Sequence, residues 1–292
     1  MSSIAEKRVY GDAGGPTVLA VASAAGTATV GVAGDRVGEF GLVDRTPARD
    51  VTAVAGRLAV ATETDVAVST GPVGGDHGDV AFAESGFGPA VAVGAGGNHL
   101  VAAGADGMIA VRSVASGRSG DESGHAPTGR GDDWRTVATV PDPTAVDGSL
   151  VATEDGVFRL RGPRDGGERG NRKHGDGAPV IDRVALAGTT VADVTAAEPH
   201  AATADGLHRL AARADGETRR DPLPTARVFD DPVHAVASAP GSARVLAAGS
   251  DDVFERRPTG GDEDAWGPAP LPGGATGAAD VAVVPGALRA AG

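Results

Sequence analysis

Leu150-Val151-Ala152-Thr153-Glu154-Asp155-Gly156-Val157-Phe158-Arg159-Leu160 reads as an apolar run, an acidic turn and a second apolar run. Each run is too short for a helix, and Asp-Gly tolerates the positive φ angles of a tight type I′ hairpin, so the stretch predicts two antiparallel strands. The first run recurs as Leu19-Ala20-Val21-Ala22-Ser23, Leu58-Ala59-Val60-Ala61-Thr62, Leu100-Val101-Ala102-Ala103-Gly104, His200-Ala201-Ala202-Thr203, Val245-Leu246-Ala247-Ala248-Gly249 and Leu288-Arg289-Ala290-Ala291-Gly292. The copies stand roughly 40 to 50 residues apart, the length of a four-stranded propeller blade. Asp106-Gly107 and Asp205-Gly206 follow two further copies, and Glu63-Thr64-Asp65 and Ser250-Asp251-Asp252 hold the same place in two more.

With strands lettered a to d from the axis outward, the repeated run is b and the run after the turn is c. Strand a precedes them, as in Val51-Thr52-Ala53-Val54-Ala55, Val191-Ala192-Asp193-Val194, Val233-His234-Ala235-Val236-Ala237 and Val281-Ala282-Val283-Val284. Small Ala, Val and Gly side chains suit the crowded axis. Helical periodicity is almost absent, and Gly and Pro punctuate the chain too often for ordinary helices. The expectation is a single all-β propeller over residues 1–292, with seven blades favoured by the seven b copies. Six blades is the alternative, because the first and last copies are incomplete. The last copy has only strands a and b, and Glu6-Lys7-Arg8-Val9-Tyr10 is left over at the other end. The ring is therefore expected to close by pairing of the N- and C-terminal strands, which removes two free edges. Residues 116–132 and 162–177, rich in Gly, Arg and Asp, are expected as loop insertions between strands c and d.

The chain carries 39 acidic and 26 basic residues, a net charge of −13. Of the acids 28 are Asp, and Lys7 and Lys173 are the only lysines. This composition is similar to that of proteins from salt-accumulating halophilic archaea. A charge of this sign opposes binding to nucleic acid and acidic membranes, although in molar salt the Debye length is about 3 Å and steering is mostly lost. No basic stripe with interleaved aromatics occurs. The absence of Cys excludes disulfides and thiolate chemistry. Charges interrupt residues 1–12, where a signal core would be apolar, and the uncharged residues 13–34 alternate as strands rather than as a membrane span. The expectation is a soluble cytoplasmic protein with a protein partner, and with neither nucleic acid nor membrane.

Asp65, Asp106, Asp155, Asp205 and Asp251 come from equivalent turns, so a propeller brings them round one face. A carboxylate ring there is a candidate metal site for a hard cation such as Ca²⁺ or Mn²⁺. The same Asp residues are also what a tight turn in an acid-rich chain requires. His77, His99, His125, His174, His200, His208 and His234 show no metal-ligand spacing, although His200 and His208 flank one b–c hairpin and could face each other. No nucleophile elbow and no phosphate loop followed by a helix occurs, so no catalytic or cofactor-binding residue is assigned.

Asp132-Asp133-Trp134 and Asp262-Glu263-Asp264-Ala265-Trp266 resemble worn copies of the Asp-box of BNR-type propellers. That resemblance implies a Trp packed between blades and an Asp tying the c–d turn. Sialidases share such a propeller but use a tyrosine nucleophile and an arginine triad. The only tyrosine here is Tyr10 and no triad matches, so that activity is not implied. The run Glu6-Lys7-Arg8-Val9-Tyr10-Gly11-Asp12, with Val37-Gly38-Glu39-Phe40-Gly41-Leu42, resembles the opening of a haloarchaeal β-propeller family. This implies fold and lineage over the whole chain and no activity. A non-enzymatic interaction scaffold is therefore the leading expectation. The alternative is a divalent-cation-dependent hydrolase or lactonase with an acidic channel site.

Overall fold

The computed structural model describes residues 17–33, 36–71, 73, 80–97, 99–114, 134–161, 180–211, 223–238, 243–257, 265–269, 280–284 and 287–291. Every regular element among them is a β-strand. The first sheet holds β1 (Thr17–Ser23), β2 (Gly26–Ala33) and β3 (Arg36–Asp44). Five four-stranded antiparallel sheets follow. The first blade of the five is β4 (Ala48–Val54), β5 (Arg57–Thr62), β6 (Val66–Ser69) and β7 (Phe82–Glu84). Next come β8 (Ala90–Gly96), β9 (His99–Gly104), β10 (Met108–Ser113) and β11 (Arg135–Thr139), then β12 (Pro143–Asp147), β13 (Leu150–Thr153), β14 (Gly156–Arg161) and β15 (Val180–Ala185). The fourth is β16 (Val191–Thr195), β17 (His200–Thr203), β18 (Gly206–Leu210) and β19 (Thr225–Phe229), and the fifth is β20 (Val233–Ser238), β21 (Val245–Gly249), β22 (Val253–Arg257) and β23 (Ala265–Pro268). A two-stranded sheet, β24 (Asp280–Val284) with β25 (Ala287–Ala291), ends the chain.

Strands β4, β8, β12, β16, β20 and β24 pack side by side as the inner strands. The b-strands behind them are buried on both faces because a neighbouring blade covers each side. Leu150 and Ala152 pack toward Val191, Val194 and Ala201 of the next blade, while Val151 between them packs back toward Val101 and Ile109. A strand buried on both faces reads as a continuous apolar run rather than an alternation. That is why the repeat is visible in sequence.

The b–c turns are not type I′. Thr153 pairs with Gly156 and Thr203 with Gly206, so the loops are Glu154-Asp155 and Ala204-Asp205. Only the glycines take positive φ, +112° at Gly156 and +127° at Gly206. A hydroxyl builds the turn instead. Thr153 Oγ1 donates to the Gly156 carbonyl at 2.9 Å and accepts from the Asp155 N–H at 3.0 Å, and Thr203 does the same to Gly206 and Asp205.

The same signature corrects the blade count from seven to six. Ser23 Oγ donates to the Gly26 carbonyl at 2.9 Å and accepts from Ala25 N–H, and Gly26 has φ +124°. The β1–β2 turn is therefore a b–c turn, and the described strands of the first sheet are b, c and d. At the other end β24 is an inner strand, and β25 pairs with it as a b-like run. Counting each apolar run as a blade overcounted by one. The pairing proposed for Arg8-Val9-Tyr10, and the loop insertions at 116–132 and 162–177, lie outside the described residues.

Candidate functional site

The five turn carboxylates occupy the b–c turns, as the repeat requires, and they fall into two kinds. Asp65 is buried, and its carboxylate is filled by donors from the connection that leaves β7 for the next blade. Oδ1 accepts from Val66 N–H at 2.7 Å, Phe87 N–H at 2.8 Å and Gly88 N–H at 3.1 Å, and Oδ2 accepts from Gly86 N–H at 2.8 Å. Ser85 Oγ adds a longer contact at 3.4 Å and itself accepts from Trp134 Nε1–H at 3.0 Å. Asp155 does the same work two blades on. It accepts from Gly188 N–H at 3.0 Å and pairs with Arg183, whose guanidinium lies 5.4 Å from the Phe158 ring centre.

Asp106, Asp205 and Asp251 are exposed. Asp106 Oδ1 accepts from Met108 N–H at 3.0 Å within its own turn, and Asp205 is anchored through its backbone N–H. Among the described residues no three His, Asp or Glu side chains gather as metal ligands.

His200 and His208 do not face each other. His200 pairs with Arg209 and His208 with Ala201, so the two histidines project from opposite faces of the hairpin. His200 is 1% exposed, with Nδ1 against the Glu198 carbonyl at 2.9 Å and the Trp266 ring edge-on at 5.9 Å. Burial pulls its pKa below 6.5, reinforced by the Arg256 and Arg209 guanidiniums and opposed by the Glu198 carbonyl and carboxylate. Burial and the Arg227 charge likewise lower His208, against Asp205. His99 Nδ1 lies 3.2 Å from Ser113 Oγ, and His234 sits at an inner-strand bulge. His77, His125 and His174 lie outside the described residues.

The inner strands hold polar groups that the turn pattern did not reveal. Each a-strand of the five full blades bulges at its outset, and the next residue is Asp in two of them. Asp50 Oδ2 accepts from Val93 N–H at 2.8 Å, and Asp193 Oδ2 accepts from Val236 N–H at 2.8 Å, each reaching the inner strand of the next blade. An Asp followed by Val near the start of an inner strand was the available signal. Asp147 Oδ2 accepts from Ala196 N–H at 2.7 Å and Thr195 Oγ1–H at 3.3 Å, and Thr195 meets Ser238 Oγ, so a hydroxyl chain links three successive blades. Burial raises the Asp147 pKa above 3.8 against these hydrogen bonds. Glu255, 1% exposed, is paired with Arg244, and Arg256 reaches Glu198 across the blade interface at 3.0 Å. Residues of this kind are seldom buried unless paired, and sequence gives no warning of it.

The tryptophans of the Asp-box resemblance pack between blades. Trp134 meets Phe87 edge-on at 5.0 Å, and Trp266 lies against Phe229 at 5.5 Å. Asp132, Asp133, Asp262, Glu263 and Asp264 lie outside the described residues, so the Asp-box itself is not shown.

No helix among the described residues is long and apolar enough to cross a membrane. No curated protein matches the chain. Among solved structures, the extracellular domain assigned to a hybrid two component system, BT4673 of B. thetaiotaomicron, superposes with a TM-score of 0.51 at 9% identity. That match covers 93% of this chain and 36% of the other, so it speaks for the fold alone. The computationally designed Ika8 protein gives a TM-score of 0.44 at 14% identity, over 82% of this chain and 67% of that one. A family model described as HVO_0234-like, beta propeller, matches residues 3–291. With strands a to d repeated round a ring and a family match over nearly the whole length, the chain belongs to the HVO_0234-like beta-propeller family.

Proposed function

We propose that the protein is a non-enzymatic interaction scaffold that presents its propeller surface to a protein partner in a salt-rich compartment. The observation that carries this reading is the use made of the turn carboxylates. Asp65 spends both oxygens on backbone N–H groups of the following connection, and Asp155 spends its own on Gly188 and Arg183. Two of the five groups that a cation site would need as ligands serve instead to fasten loops. The composition supports the salt-rich setting, with 28 Asp against two Lys.

Thermal denaturation with added Ca²⁺ or Mn²⁺ separates this reading from a cation-dependent hydrolase. A cation site bound at a hundredfold excess over its dissociation constant adds about 2.7 kcal/mol. A scaffold gains no more than it does from KCl of equal ionic strength, and Asp106→Asn with Asp205→Asn changes nothing. A Ca²⁺- or Mn²⁺-specific gain that disappears in the double variant overturns the scaffold reading.

A further inference from the structure

One joint between blades is built differently from the others. In each full blade the first residue of the inner strand pairs with the last residue of strand b, and this sets a common register. Three residues before that last one stand Ala59, Val101, Leu150 and Leu246, all aliphatic, and in the fourth full blade His200. His200 is 1% exposed, so an imidazole is buried where its counterparts bury hydrocarbon. A departure of this kind from the local rule marks a functional or strained place.

The connection leading into this strand gives a second, independent observation. The a–b connections at 55–56 and 148–149 have two residues, whereas the one at 196–199 has four. Its extra length stitches neighbouring blades together. Glu198 N–H donates to Ser238 Oγ of the next blade at 2.9 Å, its carboxylate meets Arg256 of that blade at 3.0 Å, and its carbonyl lies 2.9 Å from His200 Nδ1. From the preceding blade, Asp147 holds Ala196 N–H at 2.7 Å.

These contacts fix where a proton must go. A carbonyl only accepts, so Nδ1 carries the hydrogen and Nε2 is the basic nitrogen. Nε2 is buried and has no hydrogen-bond partner among the described residues. The charges acting on the ring are Arg256 from β22, Glu198 from its own connection and Arg209 from β18. Glu198 is already engaged with Arg256, so an imidazolium meets two guanidiniums and gains the carboxylate only by loosening the tie between blades. Asp147 reaches the connection from β12, and its own protonation relieves its burial rather than adding a charge. We infer that His200 is an acid trigger for the joint between the β16–β19 and β20–β23 blades: a proton on Nε2 releases the Glu198 connection and parts the two blades there while the rest of the ring holds. This concerns conformation alone and does not depend on the scaffold reading.

The chain has no Cys, so a single introduced thiol reports on a joint. Ala202, 0% exposed, lies in this joint with Val233, Val236 and Val245. Ala103, also 0% exposed, lies with Val146 and Val151 in the joint between the second and third full blades. Full chains carrying Ala202→Cys or Ala103→Cys are exposed in molar KCl to a dipyridyl disulfide, which reacts with thiols even in acid. Labelling is followed at pH 7 and at about pH 5, the span over which a histidine changes charge. Acidification should raise labelling of the Ala202→Cys chain at least tenfold relative to the Ala103→Cys chain. Adding His200→Leu, the side chain that Leu150 and Leu246 supply elsewhere, or His200→Gln should remove the rise. A ratio that stays flat on acidification, or a rise that survives the His200 substitutions, overturns the inference.

Discussion

At the scale of single residues, equivalent positions in the repeat have very different energetics, and burial decides which matter. Asp65 and Asp106 stand in equivalent turns, but the first accepts four backbone N–H bonds out of reach of water and the second accepts one at the surface. Removing a charged acceptor strands its donors, so Asp65→Ala should cost about 2–3 kcal/mol in denaturant unfolding, while Asp106→Asn stays within about 0.5 kcal/mol. His200 makes stability depend on pH. Its folded pKa is lowered, so the unfolded chain binds the proton more readily. The contribution is fully present above pH 6.5 and is lost as pH falls from there through the folded value. Guanidinium midpoints should therefore drop below pH 6.5, and His200→Gln should flatten that part of the profile. Asp147 runs the other way. Its raised pKa means that the ionised form costs stability at neutral pH, a cost that fades as pH falls toward 3.8. Asp147→Asn should raise the midpoint at pH 7 and leave it nearly unchanged near pH 3.5.

At the scale of elements, the b-strand was legible because two-sided burial writes an unbroken apolar run into the chain. The turn after it was legible only in part. Asp-Gly marked the place, but Thr153 and Thr203 build the turn, and the glycine is needed for its φ and for the carbonyl beside it. A Cβ on Gly206 would run into the Phe229 carbonyl, and on Gly156 into those of Ala185 and Leu186. Gly206→Ala should therefore lower stability by about 1–3 kcal/mol, whereas Gly41→Ala, with open space and no positive φ, should leave the melting temperature unchanged or slightly higher. The blade count was misread because apolar runs do not say which partners they have. Leu288-Arg289-Ala290-Ala291 reads as a b-strand, yet its only strand partner among the described residues is β24. The carboxylates of Asp50 and Asp193 were missed for a related reason, since their partners are N–H groups 43 residues away.

At the scale of the molecule, charge sets the conditions under which the ring holds. A net charge of −13 repels itself when unscreened, and compaction brings those charges closer. The denaturation midpoint should rise from dilute buffer to molar KCl and level off once the Debye length reaches about 3 Å, whereas equal midpoints at 0.1 M and 2 M would count against this account. Aromatics make up 3% of the chain, so blades cohere through many small contacts among Val, Ala and Leu, and the carboxylate straps between inner strands carry more of the burden of alignment. Those straps have a consequence for time as well as energy. An amide proton bonded only within its own blade is released when that blade loosens, but the protons of Val93 and Val236 are held by a neighbour and should exchange with deuterium only when two blades part. They are natural clocks for the opening of the ring.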